Sequence, residues 1–457
     1  MWKKAVQSQE ETEKILRSTE GENRNKRAQV FKIIIDAENK QWYTECNTDG
    51  RTELMELYVT KNQKKLRCGI TTGTCCTAAA LASARLLFCI CGNKVSGQEE
   101  AVNLRLPGGS QMQVPVFMSE RTDDFAEYYV VKDSGDDPDV TNHAKIYAGV
   151  RILPDETEPQ KDWFCDEERK GLYLTGEEGI GRVTREGLPE KTGQAAINPV
   201  PRKMIFGAVR EVLKLADVSE RVLITVRIPG GEELAERTFN RKLGIVGGLS
   251  VLGTTGILEP MSEKAIVDTI ETEIRQRAAA GEKNLLLTPG NYGRGYVSEY
   301  LQLDMDSSVK CSNYIGETID LAVSYGMERI LLVGNIGKLV KLAAGIMNTH
   351  SKVADGRREI MALYTFLAGG SRELAEKIMS CINTEEMIPL LEKAGLREAV
   401  MEKLQEAIDS YVRHRGGSKV TIAVMLFSEH FGFLTQTKET AELLPYFTGR
   451  NERKDET

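Results

Sequence analysis

Several residue types that common enzyme sites need are scarce in this chain. Its 457 residues include only four histidines, and no two of them stand at metal-ligand spacing. The nine cysteines form no C-x-x-C pair, and both Cys75-Cys76 and Cys89-x-Cys91 are too close for the usual zinc or disulfide frameworks. We therefore expect no protein-bound metal, and free thiols in a reducing cytoplasm.

Long apolar runs and an excess of basic residues are also missing. The richest apolar stretch, residues 78–91, is interrupted by Arg85 and falls short of the roughly 20 residues of a membrane span. No apolar segment of the kind found in a signal peptide follows Lys3 and Lys4. The net charge of −7 does not favour a protein that coats nucleic acid. We expect a cytoplasmic protein with no membrane or nucleic-acid partner; its oligomeric state, a homo-oligomer included, stays open.

What is present is an ordinary globular composition, with 41% hydrophobic and 28% charged residues. The length predicts two or three domains. Residues 1–54 are polar and lack sustained periodicity, so we interpret them as an extension, partly disordered, with one short strand at 29–35. We expect an α+β domain over residues 55–240, an α/β domain over residues 241–447 and a frayed tail over residues 448–457.

The second half alternates apolar strands with helical patterns. This alternation is typical of βαβ units and predicts a small parallel sheet. The predicted strands are 284–287, 329–333 and 419–427, and the predicted helices are 315–325, 338–347 and one near 293–301.

A glycine-rich turn follows the strand predicted at 329–333. In an open α/β sheet, ligands bind beyond the carboxyl ends of the strands, and glycines let the backbone approach them closely. We therefore predict that Gly334, Asn335, Gly337 and Lys338 bind a cofactor. The spacing is neither that of a Walker A loop nor G-x-G-x-x-G, and a plain strand-to-helix turn is the alternative.

A second candidate precedes an alanine-rich helical run. Thr71, Thr72, Gly73 and Thr74 predict a loop that leads into a helix N-terminus, which suits an anionic ligand. Simple helix capping explains the same residues equally well.

An acidic cluster is the third candidate. Asp133, Asp136, Asp137 and Asp139 surround a proline, and closely spaced carboxylates can bind a hard cation or act as a base. The same letters are good turn formers. We keep Asp136 and Asp137 as candidate catalytic residues, with a plain turn as the alternative.

Basic residues cluster around several predicted loops. They could hold a ligand rich in carboxylates through charge-assisted hydrogen bonds, although each one alone is more often a solvated surface charge. We place Arg202 and Lys203 first as substrate contacts. The full set is Arg182, Arg185, Arg202, Lys203, Lys352, Arg357 and Arg358.

Six strings in order resemble one family, cobalt-precorrin-5B C1-methyltransferase (CbiD) of the anaerobic cobalamin pathway. The resemblance extends from about Met55 to about Thr435. The strings are LRCGITTGT (66–74), KDSGDDPDVT (132–141), GIGRVT (179–184), AINPVPR (196–202), GTTGILEPMS (253–262), and GNIGK (334–338) with NTHSKVAD (348–355).

The resemblance implies an α+β domain like the second domain of ribosomal protein S5, followed by an α/β domain with a small parallel sheet. It implies S-adenosylmethionine as the methyl donor and C1 of cobalt-precorrin-5B, a tetrapyrrole with a central cobalt, as the acceptor that becomes cobalt-precorrin-6A. From the loops themselves we place the donor at residues 334–338 and the macrocycle at residues 71–74, Arg202 and Lys203, with the donor at residues 71–74 as the alternative. Two alternatives stay open, a kinase-like enzyme that binds nucleotides and a carrier of tetrapyrroles without catalysis.

Overall fold

The computed structural model describes residues 57–61, 63–88, 100–290, 303 and 307–448, together with the backbone of residues 30–36 and 41–47. Its internal contacts divide the chain into two units. The first unit is Met1–Ile180, Ile197–Arg237 and Leu249–Met261, and the second is Gly181–Ala196, Thr238–Gly248 and Ser262–Thr457.

The described strands are, in chain order, β1 (Val30–Asp36), β2 (Gln41–Asn47), β3 (Tyr58–Lys61), β4 (Lys64–Arg67), β5 (Gly69–Ile70), β6 (Ala101–Arg105), β7 (Gln111–Pro115), β8 (Phe117–Arg121), β9 (Phe125–Val131), β10 (Lys145–Leu153), β11 (Phe164–Cys165), β12 (Leu172–Gly176), β13 (Arg182–Val183), β14 (Arg221–Arg227), β15 (Ile245–Val246), β16 (Ile257–Leu258), β17 (Asn284–Thr288), β18 (Val309–Lys310), β19 (Arg329–Asn335), β20 (Thr421–Ser428) and β21 (Gly432–Gln436).

The described helices are α1 (Thr72–Leu87), α2 (Pro199–Leu215), α3 (Gly231–Ala235), α4 (Glu263–Ala279), α5 (Ile315–Ser324), α6 (Ile336–Leu339), α7 (Arg357–Leu367), α8 (Arg372–Met379), α9 (Thr384–Lys393), α10 (Arg397–Gly416), α11 (Thr440–Leu443) and α12 (Pro445–Thr448). A 3-10 helix, Val340–Ala344, follows α6 directly.

The first unit is built around a six-stranded sheet in the order β11-β12-β14-β10-β9-β8. Its pairings are antiparallel except for β12 with β14. The alanine-rich helix α1 packs on β9, β10 and α2, because small side chains let the backbones approach closely. Ser83 joins α1 to the sheet: its Oγ donates to the Ala148 carbonyl at 2.7 Å and accepts from the Tyr128 amide at 2.9 Å.

The first unit also contains a four-stranded sheet in the order β2-β1-β3-β4. In it β1 runs parallel to β3, with the pairs Ile34↔Tyr58 and Ile35↔Val59. The strand predicted at 29–35 is therefore found as β1, and it pairs with the first strand after the predicted extension.

The second unit has a five-stranded sheet in the order β18-β17-β19-β20-β21. The first four strands are mutually parallel, and β21 is antiparallel. Successive residues of a strand point to opposite faces. Ile330 and Leu332 therefore enter one apolar cluster with α4, α5 and α7–α10, whereas Leu331 and Val333 enter a second one with Leu443.

The mixed α/β class predicted from the sequence is confirmed, and so are the strands at 284–287, 329–333 and 419–427 and the helix at 315–325. The helix predicted near 293–301 lies outside the described residues. The likeness of the first domain to ribosomal protein S5 and the boundary near residue 240 stay predictions.

The helix predicted at 338–347 is wrong in form. The chain passes from β19 directly into α6 and then into the 3-10 helix. The helical segment ends at Gly345, whose backbone is in the left-handed region (φ 72°). The physical reason is that glycine takes this conformation without strain and so ends the helix early.

Candidate functional site

The second unit contains a cavity of about 490 Å³ at the carboxyl ends of the parallel strands β19 and β20. Such ends are where open α/β sheets bind ligands. The lining combines two backbone turns with cationic, anionic and amide side chains. The lining residues are Pro289, Gly290, Val333, Gly334, Asn335, Gly337, Lys338, Arg357, Asn383, Thr384, Glu385 and Glu429.

The four residues predicted to bind a cofactor all line this cavity, although they do not form the loop that the sequence predicts. Gly334 and Asn335 are the last residues of β19, and Gly337 and Lys338 belong to α6. The helix begins this early because the Asn335 Oδ1 atom caps it by accepting the Gly337 amide at 2.7 Å. Their role in binding a cofactor stays a prediction.

Gly334 is a packing position as well as a cavity position. A Cβ at this residue would come within 2.9 Å of Pro289 Cγ and 3.1 Å of Leu339 Cδ1. A larger side chain here would therefore disturb the turn itself, whether or not a ligand binds to it.

Lys338 provides a partly buried cation. Its Nζ donates to the Pro289 carbonyl at 2.8 Å, and no carboxylate of the described residues forms an ion pair with it. Burial lowers the pKa of Lys338 from its ordinary value. An ammonium that is bound only to a neutral carbonyl can still receive an anionic group from a ligand.

The second cation of the cavity, Arg357, is already paired. Its Nε and Nη2 donate to the two carboxylate oxygens of Asp355 at 2.5 and 2.9 Å. These hydrogen bonds hold the pKa of Asp355 below its ordinary value. Arg357 is therefore held in place by Asp355, whereas Lys338 has no carboxylate partner among the described residues.

The sequence analysis missed Glu385, which lies in the first turn of α9. Ser428, the last residue of β20, donates from Oγ to Glu385 Oε2 at 2.5 Å. The other oxygen, Oε1, is buried and has no hydrogen-bond partner among the described residues. Two signals in the sequence could have indicated this site: Ser428 directly follows the strand predicted at 419–427, and Asn383, two positions before Glu385, is a residue type that often caps helices.

The segment Thr71–Thr74 is the start of α1 and not an open loop, which corrects that part of the prediction. Thr71 is the N-cap, and its Oγ1 accepts the Thr74 amide at 3.2 Å. The Gly73 amide donates to the Leu252 carbonyl at 2.9 Å, and the Thr74 hydroxyl donates to the Gly256 carbonyl at 2.7 Å. Because the protein already uses these groups, the structure favours the capping alternative; substrate binding by Thr71, Thr72, Gly73 and Thr74 stays a prediction.

The acidic cluster of residues 133–139 is also engaged within the protein. Asp136 Oδ2 accepts the Arg67 amide at 2.6 Å, and Asp137 Oδ2 accepts the Met261 amide at 3.0 Å. Arg67 also forms a two-bond ion pair with Asp133, whose pKa this hydrogen bonding lowers. These bonds are those of a structured turn, and a catalytic role for Asp136 and Asp137 stays a prediction.

Asp139 forms a buried ion pair next to that turn. Its Oδ2 accepts from Lys132 Nζ at 2.6 Å, and Lys132 is only 1% exposed. The Lys132 ammonium also donates to Ser134 Oγ at 2.7 Å. This pair fixes the end of β9 to the turn.

Arg202 and Lys203 lie in the first turns of α2. The Arg202 guanidinium lies over the Phe164 ring at 4.3 Å from its centroid, and Lys203 is exposed. These two predicted substrate contacts belong to the first unit, and residues 334–338 belong to the second. Their role in substrate binding stays a prediction.

Among the described residues, no group of three or more His, Cys, Asp or Glu side chains could hold a metal ion. Burial raises the pKa of Cys68, Cys75 and Cys311 to about 12, so these thiols stay protonated at neutral pH. The described part of the chain also contains no helix long and apolar enough to cross a membrane.

Two models of known protein families match this chain, one in each half. The CbiD family model matches residues 59–260, and the model of the CbiD C-terminal domain matches residues 348–438. The chain belongs to the CbiD family.

CbiD relatives resemble most of this chain. A cobalt-precorrin-5B C(1)-methyltransferase of Ruminiclostridium cellulolyticum is 42% identical over 375 residues, which cover 82% of this chain and 92% of that protein. The protein of the same name from Alkaliphilus metalliredigens is 38% identical, over 85% of this chain and 97% of its own. A crystal structure of the cobalamin biosynthesis protein CbiD from Archaeoglobus fulgidus is 25% identical and covers 66% of this chain and 87% of that one, with a TM-score of 0.34.

Proposed function

We propose that this chain transfers a methyl group from S-adenosylmethionine to C1 of cobalt-precorrin-5B, giving cobalt-precorrin-6A in cobalamin biosynthesis. The names of relatives that align with 82% and 85% of the chain support this activity. The bond between the methyl carbon and the sulfonium sulfur breaks as the bond to C1 forms, and S-adenosylhomocysteine leaves. Such an in-line displacement depends on alignment and exclusion of water more than on a strong base.

The cavity of the second unit is our candidate for the donor site. Its volume of about 490 Å³ is in the usual range for a small-molecule pocket. Lys338 supports this assignment most directly, because its ammonium is half-buried, lines the cavity and has no carboxylate partner among the described residues. The carboxylate of the donor's methionine part would complete the pair.

We assign the macrocycle to the first unit, whose fold we expect to be like the second domain of ribosomal protein S5. The many carboxylates of the substrate suit Arg202 and Lys203, with the first turn of α1 as a further contact. The cobalt arrives with the substrate, so this assignment needs no metal bound by the protein.

Neither alternative is favoured by the relatives' names. A kinase-like enzyme would need open amides to hold phosphate at the start of α1, and those of Gly73 and Thr74 are bonded inside the protein. A carrier without catalysis would bind the macrocycle and would have no need of the donor.

The direct test combines the purified protein, cobalt-precorrin-5B and S-adenosylmethionine. We expect a product heavier by one methyl group in mass spectrometry, at a rate that a chelator does not change. A failure to transfer methyl with a correctly folded protein would overturn the proposal. Activity lost on chelation and restored by zinc would overturn its metal-free part.

A variant tests the place of the donor. We expect Lys338→Met to weaken S-adenosylhomocysteine binding by about 1.5–3 kcal/mol, because a charge-assisted hydrogen bond is lost. Binding of 5′-deoxy-5′-methylthioadenosine, which has no carboxylate, should not change. Isothermal titration calorimetry measures both, and Lys393→Met, at an exposed lysine in α9, is the control. Unchanged binding of S-adenosylhomocysteine would move the donor away from Lys338.

A further inference from the structure

Glu385 has a carboxylate oxygen for which the described residues supply no hydrogen-bond partner. Oε1 is buried and receives no hydrogen bond from the described residues, although the cavity that Glu385 lines is polar. A buried acceptor without a donor costs free energy, so such atoms in native proteins call for an explanation. A ligand that brings an O–H or N–H group into the cavity would remove this cost.

The other carboxylate oxygen of Glu385 is held firmly. Ser428 donates to Oε2 at 2.5 Å, and the Ser428 Oγ in turn accepts the amides of His430 and Phe431 at 3.1 and 3.0 Å. With all its hydrogen-bonding capacity used, the Ser428 hydroxyl has a fixed direction. Ser428 is therefore a positioning residue that orients the Glu385 carboxylate.

The position of Glu385 at the start of a helix also suits a carboxylate. It lies in the first turn of α9, where the helix dipole favours a negative charge. The amide of the next residue, Glu386, is taken by the Asn383 cap at 3.0 Å. An ionised carboxylate accepts hydrogen bonds and donates none.

Within the cavity, Glu385 and Lys338 are bonded to groups on opposite sides of β19. The Lys338 ammonium is bonded to the Pro289 carbonyl, which follows β17, whereas Glu385 is bonded to Ser428, which ends β20. The strands β17 and β20 lie on opposite sides of β19. Two strand spacings amount to roughly 10 Å, so a ligand that reaches both groups extends across the end of β19.

This separation indicates which part of the donor faces Glu385. The ammonium and carboxylate of the donor share one carbon, so a carboxylate bound at Lys338 keeps the ammonium near Lys338. The ribose lies farther along the molecule, beyond the methylene chain and the sulfonium. Its 2′- and 3′-hydroxyls are hydrogen-bond donors, and a carboxylate is a common acceptor for a ribose hydroxyl in α/β proteins.

We propose that Glu385 accepts the ribose hydroxyls of the methyl donor and so selects a nucleoside that carries a 2′,3′-diol. This inference rests on the proposed function, because it takes the donor to bind in this cavity. It adds a specificity-determining residue and gives the unpartnered Oε1 atom a ligand. In this proposal Ser428 orients the Glu385 carboxylate and does not itself contact the ligand.

The test uses Glu385→Gln and titrations with four probes. We expect binding of S-adenosylmethionine, S-adenosylhomocysteine and 5′-deoxy-5′-methylthioadenosine to weaken alike, by roughly 10- to 100-fold. The 2′,3′-dideoxy analogue of methylthioadenosine should bind equally to the variant and the wild type. Glu386→Gln is the matched control, because it removes the same charge from the same helix turn outside the cavity.

Other outcomes would overturn the inference in distinct ways. Weakened S-adenosylmethionine alone would place Glu385 at the sulfonium, and weakened binding that spares methylthioadenosine would place it at the ammonium. Weakened binding of the dideoxy analogue would place it at the adenine, and unchanged binding of all probes would remove it from the site. If Glu385→Gln does not fold, Glu385→Asp retracts the carboxylate by one methylene and should weaken the three diol-containing probes alike; unchanged binding would contradict the proposal.

The failure of this inference is distinguishable from failure of the proposed function. A wild-type protein that binds S-adenosylhomocysteine and transfers methyl, while Glu385→Gln keeps its affinity, overturns only the role of Glu385. A wild-type protein that binds none of the probes overturns the donor site and the inference with it.

Discussion

At the scale of single residues, a carboxylate that looks reactive in the sequence can be occupied by the backbone. Asp136 and Asp137 each accept an amide, from Arg67 and Met261 respectively. On the turn alternative, which these hydrogen bonds favour over the catalytic prediction, we expect Asp136→Asn and Asp137→Asn to lower the free energy of unfolding by about 1 kcal/mol each and to leave the methyl-transfer rate constant close to that of the wild type. Urea titrations and the mass-spectrometric assay measure the two effects. A hundredfold loss of rate at unchanged stability would instead assign the base to that residue.

The buried ion pair of Lys132 and Asp139 leads to a prediction about stability. Because Lys132 is only 1% exposed, Asp139→Asn leaves an uncompensated buried charge and should cost about 3–5 kcal/mol of unfolding free energy. The double variant Lys132→Met with Asp139→Asn, which removes both charges, should recover part of that loss. A single variant as stable as the wild type would contradict this account.

The same pair predicts a dependence on pH. Burial alone would raise the pKa of Asp139, but the charge and hydrogen bonds of Lys132 outweigh it and the pKa lies below its ordinary value. The folded state therefore binds this proton less readily than the unfolded state does. The stabilisation is present above the unfolded pKa of about 3.9 and is lost as the pH falls through the lower folded value. The stability difference between wild type and Asp139→Asn should shrink in urea titrations below about pH 4.

At the scale of elements, the turn from β19 into α6 depends on close packing. We expect Gly334→Val to lower the free energy of unfolding by about 1–3 kcal/mol without any ligand, because its Cβ would lie 2.9 Å from the Pro289 ring. Thermal unfolding followed by circular dichroism measures this, with Gly337→Ala as a milder change whose Cβ meets only the Asn335 side chain at 3.0 Å and Thr384 Oγ1 at 3.5 Å. A Gly334→Val protein with unchanged stability would contradict the packing role.

The packing of Gly334 makes its substitution an ambiguous test of donor binding. A loss of donor binding in Gly334→Val alone would have two causes, a disturbed turn and a blocked ligand. Gly73→Val in α1 has the same weakness, since its Cβ would lie 2.8 Å from Pro201 Cγ. Lys338→Met and Glu385→Gln avoid this ambiguity because each removes a charge from a side chain of similar size and adds no Cβ at a closely packed backbone position.

At the scale of the whole molecule, a single truncation tests whether the fold and the activity need residues 1–54. We expect a chain that begins at Met55 to keep its activity and to melt within a few degrees of the full chain. The reason is that, among the described residues, only two pairs join β1 to β3 in the sheet. Differential scanning calorimetry and the methyl-transfer assay measure the outcome. Aggregation through the newly exposed edge of β3, or a large loss of melting temperature, would show that β1 and β2 belong to the fold.

The amino-acid sequence alone predicts the family, the mixed α/β class and the main strands of the second unit. Apolar runs such as residues 329–333 are buried on both faces of a parallel sheet, and this requirement is visible locally as a continuous run of apolar letters. The importance of Gly334 and Gly337 is predicted for the same reason, since they follow such a run directly, although the strand extends through Asn335 and leaves no separate loop. The cavity that these residues line could thus be predicted in part.

The folded chain alone shows which polar side chains share that cavity and which already form hydrogen bonds within the protein. Glu385 and Lys338 stand 47 positions apart in the chain, and they line one cavity because β19 and β20 are adjacent in the sheet. Conversely, Thr74 and Asp137 each form a hydrogen bond with a group more than 100 residues away. Hydrogen-bond partners at such separations leave no local pattern in the letters, because strand pairing and helix packing bring them together only in the folded chain.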